Sequence, residues 1–347
     1  MKTSDFDYDL PPEFIAQAPI EPRDASRLLV LHRHTGEIEH RLFRDLSQYL
    51  RNGDLLVLNQ TRVIPARLYA RKLPTGGKLE LLLLQRLGQQ TWETLVGGKG
   101  IRQGARIQVE RGPAAEVIQQ LDGSRRVLRF DAPLAPELER LGRTPLPPYI
   151  TAPLKDPERY QTVYAREPGS AAAPTAGLHF TIELLEHTKS IGVDLAYVTL
   201  HVGLDTFAPI AEDSVEEHVI HTEWCRLGSE TATAINATRG RGGRIVAAGT
   251  TTVRTLETAA RAASPHETVA PYEGPTDLFI LPGYKFNAVD MLLTNFHLPR
   301  STLILLVGAF LGGSTPLAGR DRLLAAYEAA KEGAYRFYSF GDAMLIL

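Results

Sequence analysis

Three junctions in the sequence place imidazole, hydroxyl and amide side chains directly after runs of apolar residues. A neutral imidazole titrates near pH 7 and can move a proton, while hydroxyl and amide groups can hold a polar substrate. The sequence therefore predicts a ligand-binding pocket at the places where these runs end. The junctions are Val193–Leu200 before His201 and Gly203, Arg244–Ala248 before Gly249-Thr-Thr-Thr252, and Ala288–Thr294 before Asn295 and His297.

The Gly249–Thr252 segment opens a predicted helix that carries Arg254 and Glu257. The N–H groups of a helix start, together with the hydroxyls of Thr250 and Thr251, suit a carboxylate, a phosphate or sugar hydroxyls. The segment lacks the Gly-Lys-Ser/Thr of a phosphate-binding loop, and the chain has no glycine-rich dinucleotide fingerprint. Ordinary helix capping is the alternative interpretation of the same residues.

A second segment of mixed small and polar residues, Pro174–Thr181, leads into another predicted helix, with Thr181 as its N-cap. Thr175 and His179 lie within this segment, and Gly177 would allow close backbone approach to a ligand. Because proline, glycine and threonine around a helix start are also ordinary capping chemistry, that interpretation stays open here as well.

Five of the ten histidines fall between His179 and His221. His218 and His221, with Glu223 nearby, raise the alternative of a metal-dependent hydrolase. Their spacing suits one face of a helix, but the intervening residues fit extended chain equally well. Because no second motif completes a ligand set, we expect no metal.

Strands alternate with helices after residue 180, which predicts an α/β main domain with a mixed, largely parallel sheet. Ligands of open α/β sheets bind beyond the carboxyl ends of the strands, so the three junctions are expected to share one site. The apolar runs Leu28–Leu31 and Leu55–Leu58 are expected to join this sheet. Further predicted elements are helices at Ile182–Lys189, Glu230–Arg239, Val253–Ala263, Thr302–Leu311 and Arg320–Glu332, and a closing strand at Tyr335–Phe340.

Short strands separated by glycine-containing turns fill the segment from Asp54 to Phe130 and predict an inserted small antiparallel β-barrel domain. A proline-rich stretch, Arg143–Tyr149, suits a stiff linker after it. The predicted domains are 1–60 with 150–347, the α/β catalytic domain, and 61–149, the barrel with its linker.

Charge is distributed unevenly along a chain whose formal net charge is only -2. From Gln60 to Phe130 there are 13 Lys or Arg residues against five Asp or Glu, a local charge of +8. This asymmetry favours a nucleic-acid partner, with a solvated, arginine-edged β surface as the alternative.

Cys225 is the only cysteine among 347 residues, so a multi-cysteine zinc site is excluded and a reducing compartment is indicated. The N-terminal residues show no signal-peptide pattern, and the most apolar run, Thr302–Leu311, is about half the length of a membrane span. We expect a cytoplasmic protein without a membrane contact. A monomer is the default expectation, because no zipper is evident.

At these motifs the chain resembles the QueA family, the S-adenosylmethionine:tRNA ribosyltransferase-isomerases, and the resemblance runs from Asp5 to the C-terminus. The segments that carry it are Asn59–Arg67, Pro145–Ile150, Tyr160–Tyr164, Ala173–Phe180, Val198–Gly203, Gly249–Thr251 with Val253–Glu257, Thr294–Pro299, and Tyr335–Phe337 with Gly341–Met344.

The resemblance implies a tRNA-modifying enzyme of queuosine biosynthesis. S-adenosylmethionine would be the co-substrate: its ribosyl moiety is transferred to, and isomerised on, 7-aminomethyl-7-deazaguanine at the tRNA wobble position. The product is epoxyqueuosine, and adenine and methionine are released. The two-domain fold that the resemblance implies agrees with the division argued above.

That reaction indicates roles for the junction residues. His201 or His179 is the candidate base, and His297 and Glu257 are further proton-handling candidates. Arg254 and the Gly249–Thr252 helix start suit the methionine carboxylate. Candidates for contact with S-adenosylmethionine are Thr175, Gly177, Gly203, Gly249, Thr250, Thr251, Arg254 and Asn295, and candidates for contact with tRNA are Arg62, Arg67, Arg102 and Arg106.

The sequence departs from the family's pattern at Asp205, where glycine is usual, and at the pair Ala171-Ala172. Asp205 would attract or disturb the sulfonium if it faces the site. A non-catalytic RNA-binding protein that uses the basic β segment is the alternative from outside enzymology.

Overall fold

The computed structural model describes residues 1–203, 209–315 and 317–347, and within them the chain forms two compact units. The first, called here the α/β unit, comprises Met1–Thr61, Pro148–Arg166 and Pro174–Leu347. The second, called the barrel unit, comprises Arg62–Pro147 and Glu167–Ala173.

The strands are β1 (Arg27–Leu31), β2 (Ile38–Leu42), β3 (Leu55–Asn59), β4 (Thr61–Val63), β5 (Arg67–Lys72), β6 (Lys78–Arg86), β7 (Thr91–Val96), β8 (Arg106–Val109), β9 (Ala114–Gln120), β10 (Arg125–Phe130), β11 (Glu167–Ser170), β12 (Asp194–Leu200), β13 (Glu223–Leu227), β14 (Ile245–Ala248), β15 (Tyr272–Thr276), β16 (Met291–Asn295) and β17 (Ala343–Ile346). The α-helices are α1 (Leu138–Leu141), α2 (Ile182–Ser190), α3 (Ser229–Gly240), α4 (Thr250–Arg261), α5 (Thr302–Leu311) and α6 (Ala318–Glu332).

The α/β unit is built on a nine-stranded mixed sheet in the order β15-β13-β12-β3-β14-β16-β17-β1-β2. Its centre, β12-β3-β14-β16, is a run of mutually parallel neighbours. Antiparallel strands extend the sheet on both sides, and β17 pairs in parallel with β1. The predicted fold class, a mixed α/β sheet with an antiparallel barrel, is confirmed.

Strand β3 shows why the sequence builds a sheet that is covered on both faces. All five of its residues are buried. Leu55 and Val57 pack into one hydrophobic cluster, and Leu56 and Leu58 pack into a second cluster on the opposite face. Side chains alternate between the faces of a strand, so a continuous apolar run is the pattern expected of a strand buried on both sides.

The N-terminal runs join the sheet as predicted: β1 pairs with β17, and β3 lies between β12 and β14. The predicted closing strand at Tyr335–Phe340 is wrong, and the strand that closes the chain is β17. Ala334 and Tyr338 have left-handed φ angles of 53° and 70°, which interrupt an extended backbone. The aromatic rings of this segment enter the core instead, with the Phe337 ring 4.8 Å from that of Phe296.

Four strands of the sheet were not predicted, namely β2, β13, β15 and β17. Strand β13 carries Cys225, whose side chain is fully buried. Burial raises the pKa of the Cys225 thiol to about 12, so that the thiol stays protonated at neutral pH.

The barrel unit contains a closed barrel in the order β10-β7-β6-β5-β8-β9, and β4 and β11 form a separate two-stranded pair. Strand β7 shows the alternation of inward and outward side chains expected of a barrel strand, because Trp92, Thr94 and Val96 are buried while their neighbours are partly exposed. Strand β5 was missed in the sequence because Arg67, Arg71 and Lys72 interrupt its apolar pattern. No helix in the described part of the chain is long and apolar enough to cross a bilayer.

Candidate active site

The four parallel strands at the centre of the sheet end in polar residues at one edge, because parallel neighbours point their carboxyl ends the same way. These ends are Asn59 of β3, His201 after β12, Gly249 after β14 and Asn295 of β16. The three junctions predicted to share a site therefore lie on adjacent strands or, for β12 and β14, are separated only by β3. The carboxyl edge of the sheet is the place where their side chains meet.

Asn59 joins two of the strand ends through its side-chain amide. Its Nδ2 donates to the Leu200 carbonyl at 3.0 Å and to Thr251 Oγ1 at 3.1 Å. Its Oδ1 accepts from the N–H groups of Leu200 and Thr61, each at 3.1 Å. The side chain is fully buried, so these bonds hold β12 and the start of α4 in a fixed geometry.

His201 is the partly exposed histidine of the edge. Its Nδ1 lies 2.8 Å from Oγ1 of the buried Thr61. Its ring stacks on Trp224 with centroids 5.2 Å apart and 18° between the ring planes. The hydroxyl and the indole fix the orientation of an imidazole that still reaches solvent.

His179 is held in one neutral tautomer by its partners. Asn295 Nδ2 donates to the Tyr338 carbonyl at 3.2 Å, which identifies this atom as the amide nitrogen. The same nitrogen lies 3.3 Å from His179 Nε2, which must therefore accept, so Nδ1 carries the proton and donates to Ser26 Oγ at 2.8 Å. Burial lowers the pKa of His179 to about 4, despite the nearby carboxylate of Asp342, which raises it.

Asn295 also receives a hydrogen bond from the Thr175 hydroxyl at 2.9 Å. Thr175, Asn295, His179 and Ser26 consequently form one continuous chain of hydrogen bonds. Both ring nitrogens of His179 are occupied within this chain, and its ring stacks on Phe43 at 4.9 Å. His179 therefore positions Asn295 and the loop that carries Thr175.

His297 is buried beyond the end of β16. Its Nε2 lies 2.7 Å from Thr294 Oγ1, and burial lowers its pKa to about 3. Its backbone is anchored on both sides, since its N–H donates to Tyr327 OH at 2.9 Å and its carbonyl accepts from Tyr8 OH at 2.5 Å. At neutral pH this imidazole is uncharged.

Arg254 forms a buried ion pair with Glu223, and both side chains are about 6% exposed. The Arg254 Nε also donates to the Leu278 carbonyl at 3.2 Å. Glu223 accepts from the Gly203 N–H at 2.8 Å, so the pair fixes the backbone that follows His201. Arg254, predicted to bind a substrate carboxylate directly, is thus bonded to a carboxylate of the protein itself.

Glu257 is fully buried and accepts hydrogen bonds from Asn287 N, Ala288 N and Tyr284 OH at 2.9–3.1 Å. Burial raises its pKa, and the hydrogen bonds from Ala288, Asn287 and Tyr284 oppose that shift. These contacts tie the segment before β16 to α4, which is a positioning role.

Gly249 turns the chain from β14 into α4 with a left-handed φ of 94°. Gly249, the N-cap residue of α4, has no side chain to cap the first turn. The hydroxyl of Thr252 donates to the Ala248 carbonyl at 2.7 Å, so the helix begins at Thr250, three residues before the predicted start. Thr250 and Thr251 thus lie at a helix start whose N–H groups face the carboxyl edge of the sheet.

Gly177 is required by a protein contact. A Cβ at this position would lie 2.2 Å from Tyr164 OH and 2.8 Å from Thr162 Cγ2. The close approach expected for a ligand is therefore made by Tyr164. Thr181 caps α2 as predicted, accepting from Leu184 N at 3.1 Å.

The metal site considered as an alternative is not formed among the described residues. Glu223 is bonded to Arg254, and His218 Nδ1 lies 2.9 Å from Glu212 Oε2. No group of three His, Cys, Asp or Glu side chains in the described ranges could hold a metal ion. Asp205, whose charge was considered at this edge, lies outside the described residues.

The four arginines predicted to bind tRNA lie in the barrel unit and differ in their surroundings. Arg106 is 2.6 Å from Asp131, and Arg67 is 3.2 Å from Glu80. Arg102 is exposed and has no ion pair with any described residue. Arg62 is in β4 and is partly exposed.

Sequence reasoning missed Asn59, Thr61 and Ser26 as members of the site. Asn59 follows the apolar run Leu55–Leu58 just as the other three polar residues follow theirs, so the same signal would have found it. Ser26 and Thr61 carry no such signal, because their histidine partners are 153 and 140 residues away.

The fold is that of an α/β enzyme whose parallel strands end beside neutral imidazoles and buried, hydrogen-bonded amides. Residues 3–346 match the family described as queuosine biosynthesis protein, and the chain belongs to that family. The family and the enzyme class predicted from the motifs are confirmed.

Relatives and a solved structure agree with that assignment over the whole chain. The S-adenosylmethionine:tRNA ribosyltransferase-isomerase of Symbiobacterium thermophilum is 56% identical over 351 residues, covering 100% of both chains. The enzyme of the same name from Thermotoga maritima is 54% identical over 354 residues, again with 100% of both covered. A crystal structure of the S-adenosylmethionine tRNA ribosyltransferase from Thermotoga maritima covers 99% of this chain and 100% of its own, with a TM-score of 0.56 and 45% identity.

Proposed function

We propose that this protein transfers the ribosyl moiety of S-adenosylmethionine to 7-aminomethyl-7-deazaguanine at the tRNA wobble position and isomerises it, giving epoxyqueuosine. Adenine and methionine are released. Full-length relatives above 50% identity carry the name of this activity. The observation that supports the assignment best is the carboxyl edge of the sheet, where neutral histidines and buried amides surround an uncapped helix start.

The reaction needs a base near the sulfonium, because the positive sulfur acidifies the carbon bonded to it. His201 is our candidate for that base, since it is partly exposed and is oriented by Thr61 and Trp224. His179 and His297 are buried, unlike the partly exposed His201, so we assign them to positioning. Glu257, with three donors on its carboxylate, belongs with them.

For S-adenosylmethionine we propose the start of α4 with Gly249, Thr250 and Thr251, and the Thr175–Asn295 pair. The uncapped N–H groups of a 12-residue helix favour the methionine carboxylate. Arg254 and Gly203 would act indirectly, because Arg254 is paired with Glu223 and Glu223 accepts a hydrogen bond from the Gly203 N–H. We further propose that residues 1–60 and 150–347 work as the catalytic domain and that 61–149 contribute tRNA contacts.

The deciding experiment is incubation with S-adenosylmethionine and tRNA that carries the aminomethyl-deazaguanine base, followed by nucleoside mass spectrometry. Formation of epoxyqueuosine with one adenine released per product is the expected result. Tight tRNA binding without adenine release would favour the non-catalytic alternative. The same preparation would test two further predictions, a monomer by light scattering and activity without added metal. A cytoplasmic location is proposed because tRNA is found there.

A further inference from the structure

Nine of the 15 Lys and Arg side chains of the barrel unit form two contrasting groups. In the first group each arginine lies within 4.0 Å of a carboxylate. These pairs are Arg67–Glu80, Arg71–Glu110, Arg106–Asp131, Arg125–Glu93, Arg129–Glu116 and Arg140–Glu137. The second group, Lys78, Lys99 and Arg102, is exposed and forms no ion pair with a described residue.

The second group is gathered at one end of the barrel, where the turns after β5, β7 and β9 lie side by side. We call residues 72–78, 97–104 and 121–126 the basic loop end. Lys72 Nζ donates to the Gly100 carbonyl at 2.9 Å, joining the first turn to the second. Arg126 Nε donates to the Ile101 carbonyl at 3.0 Å, joining the third turn to the second.

Main-chain contacts hold these turns in place. Gly97 N donates to the Glu80 carbonyl at 2.8 Å, and Val96 N donates to the Ser124 carbonyl at 3.0 Å. Gly98 has a left-handed φ of 102°, and a Cβ there would lie 2.6 Å from Leu79 Cδ2. Lys78, Lys99 and Arg102 are thus presented by a packed backbone and are not neutralised by described carboxylates, whereas Arg125 of the third turn is paired with Glu93.

The composition of the basic loop end favours a polyanion. Its three segments contain six Lys or Arg residues and a single carboxylate, that of Asp122. The barrel unit as a whole has 15 Lys or Arg against nine Asp or Glu, whereas the α/β unit has 23 against 31. A phosphate that approaches the ion-paired arginines must compete with a carboxylate already in place, whereas one that approaches Lys78, Lys99 or Arg102 meets no described carboxylate paired with them.

We propose that the basic loop end, rather than the ion-paired arginines of the barrel, binds the phosphate backbone of the tRNA. This inference rests on the proposed function and adds a surface of the barrel unit that holds the RNA backbone. It separates Arg102, which belongs to the surface, from Arg106, which Asp131 neutralises.

Two triple variants of the full-length protein test the proposal. Lys78→Gln/Lys99→Gln/Arg102→Gln removes three unpaired charges from the loop end. Arg71→Gln/Arg129→Gln/Arg140→Gln removes three paired charges from the same unit and is the matched control for net charge. Affinity for an unmodified tRNA transcript is measured between 50 and about 300 mM salt, with circular dichroism and thermal unfolding to check that each variant folds.

The loop-end triple variant is expected to bind tRNA at least about tenfold more weakly. The magnitude of its slope of log affinity against log salt should decrease by roughly 2–3. The control is expected to change the tRNA affinity by no more than about threefold. It should change the salt slope by no more than about half a unit. Turnover at saturating tRNA and the KM for S-adenosylmethionine should stay near wild type in both. Equal losses in the two variants, or no loss in the first, would overturn the proposal. If the wild-type protein released no adenine, the proposed function would fail, and the binding measurement would still decide whether this surface holds RNA.

Discussion

The carboxyl edge of the sheet and the basic loop end of the barrel differ in how their ionisable side chains are placed. Most of those at the edge are buried and neutral or paired, and those of the loop end include exposed cations. At the edge, the one described arginine among the candidate residues is paired with Glu223, and two histidines are kept neutral by burial. At the loop end, Lys78, Lys99 and Arg102 are exposed and form no ion pair with a described residue. Burial keeps the positioning groups of the edge in one protonation state, because an unpaired buried charge is costly. Attraction of a polyanion requires charge left accessible to solvent.

The largest expected effect comes from removing the imidazole that this comparison assigns to chemistry. His201→Ala should lower turnover by roughly 100- to 10,000-fold, because a positioned base contributes rate enhancement of that order. The affinity for tRNA, measured by fluorescence anisotropy, should be nearly unchanged. His187→Ala, an exposed histidine of α2, is the matched control and should retain full turnover. A His201→Ala variant with near wild-type turnover would show that another residue is the base.

The second prediction compares ion pairs from the two regions. Glu223→Gln leaves the Arg254 charge buried without its carboxylate and should cost about 3–5 kcal/mol in the free energy of unfolding. Arg129→Gln breaks an exposed pair of the barrel, with the arginine side chain 57% exposed, and should cost at most about 1 kcal/mol. Urea titration monitored by Trp fluorescence measures both. Similar costs for the two variants would contradict the distinction drawn between the regions.

The third prediction concerns pH. Burial lowers the pKa of His179 to about 4 and that of His297 to about 3, from an ordinary value of 6.5. The unfolded chain therefore binds protons below pH 6.5 that the folded protein does not, so stability falls as pH drops from about 6.5 towards 4 and is unaffected above that window. Each histidine contributes a slope of up to about 1.4 kcal/mol per pH unit.

His297→Gln, which keeps a polar side chain but cannot titrate, should flatten that slope by one histidine's share. The measurement is the difference in the free energy of unfolding between variant and parent from pH 7 to pH 4.5. Carboxylates that titrate in the same range are common to both proteins and cancel in the difference. A difference that does not vary with pH would show that His297 titrates with the same pKa in the folded protein as in the unfolded chain.

The smallest expected effect sharpens the role of Thr61. Thr61→Val removes the hydroxyl that lies 2.8 Å from His201 Nδ1 and should lower kcat by about tenfold, the worth of one hydrogen bond to an imidazole that must hold its orientation. The pH profile of kcat should also move, which a purely structural defect would not cause. Thr61→Ser, which restores the hydroxyl, should recover both. If Val and Ser behave alike, the hydroxyl has no part in positioning.

How much of this was visible in the sequence depends on the range over which each signal acts. The runs Val193–Leu200 and Arg244–Ala248 predicted strands because burial on both faces leaves a local apolar pattern. The edge residues that follow them could be found for the same reason. The closing strand was misplaced, because a pattern of apolar residues does not reveal the left-handed backbone conformation of Tyr338.

The contacts that decide residue roles were out of reach of such patterns. Arg254 suited a substrate carboxylate from its position at a helix start, but its partner Glu223 is in β13, a strand that only the pairing with β12 and β15 brings alongside α4. The predicted tRNA contact Arg106 likewise looked equivalent to Arg102 until Asp131 was placed beside it. Charge can be counted from sequence, whereas neutralisation depends on the fold.

Cys225 has a practical consequence for the surface experiments. Because the only native thiol is buried and stays protonated at neutral pH, maleimide reagents should leave the folded wild-type protein unmodified. A cysteine introduced at Lys99 would then be the sole reactive thiol in the molecule. A fluorophore attached there would report directly on RNA arrival at the loop end, without first removing a cysteine from the core.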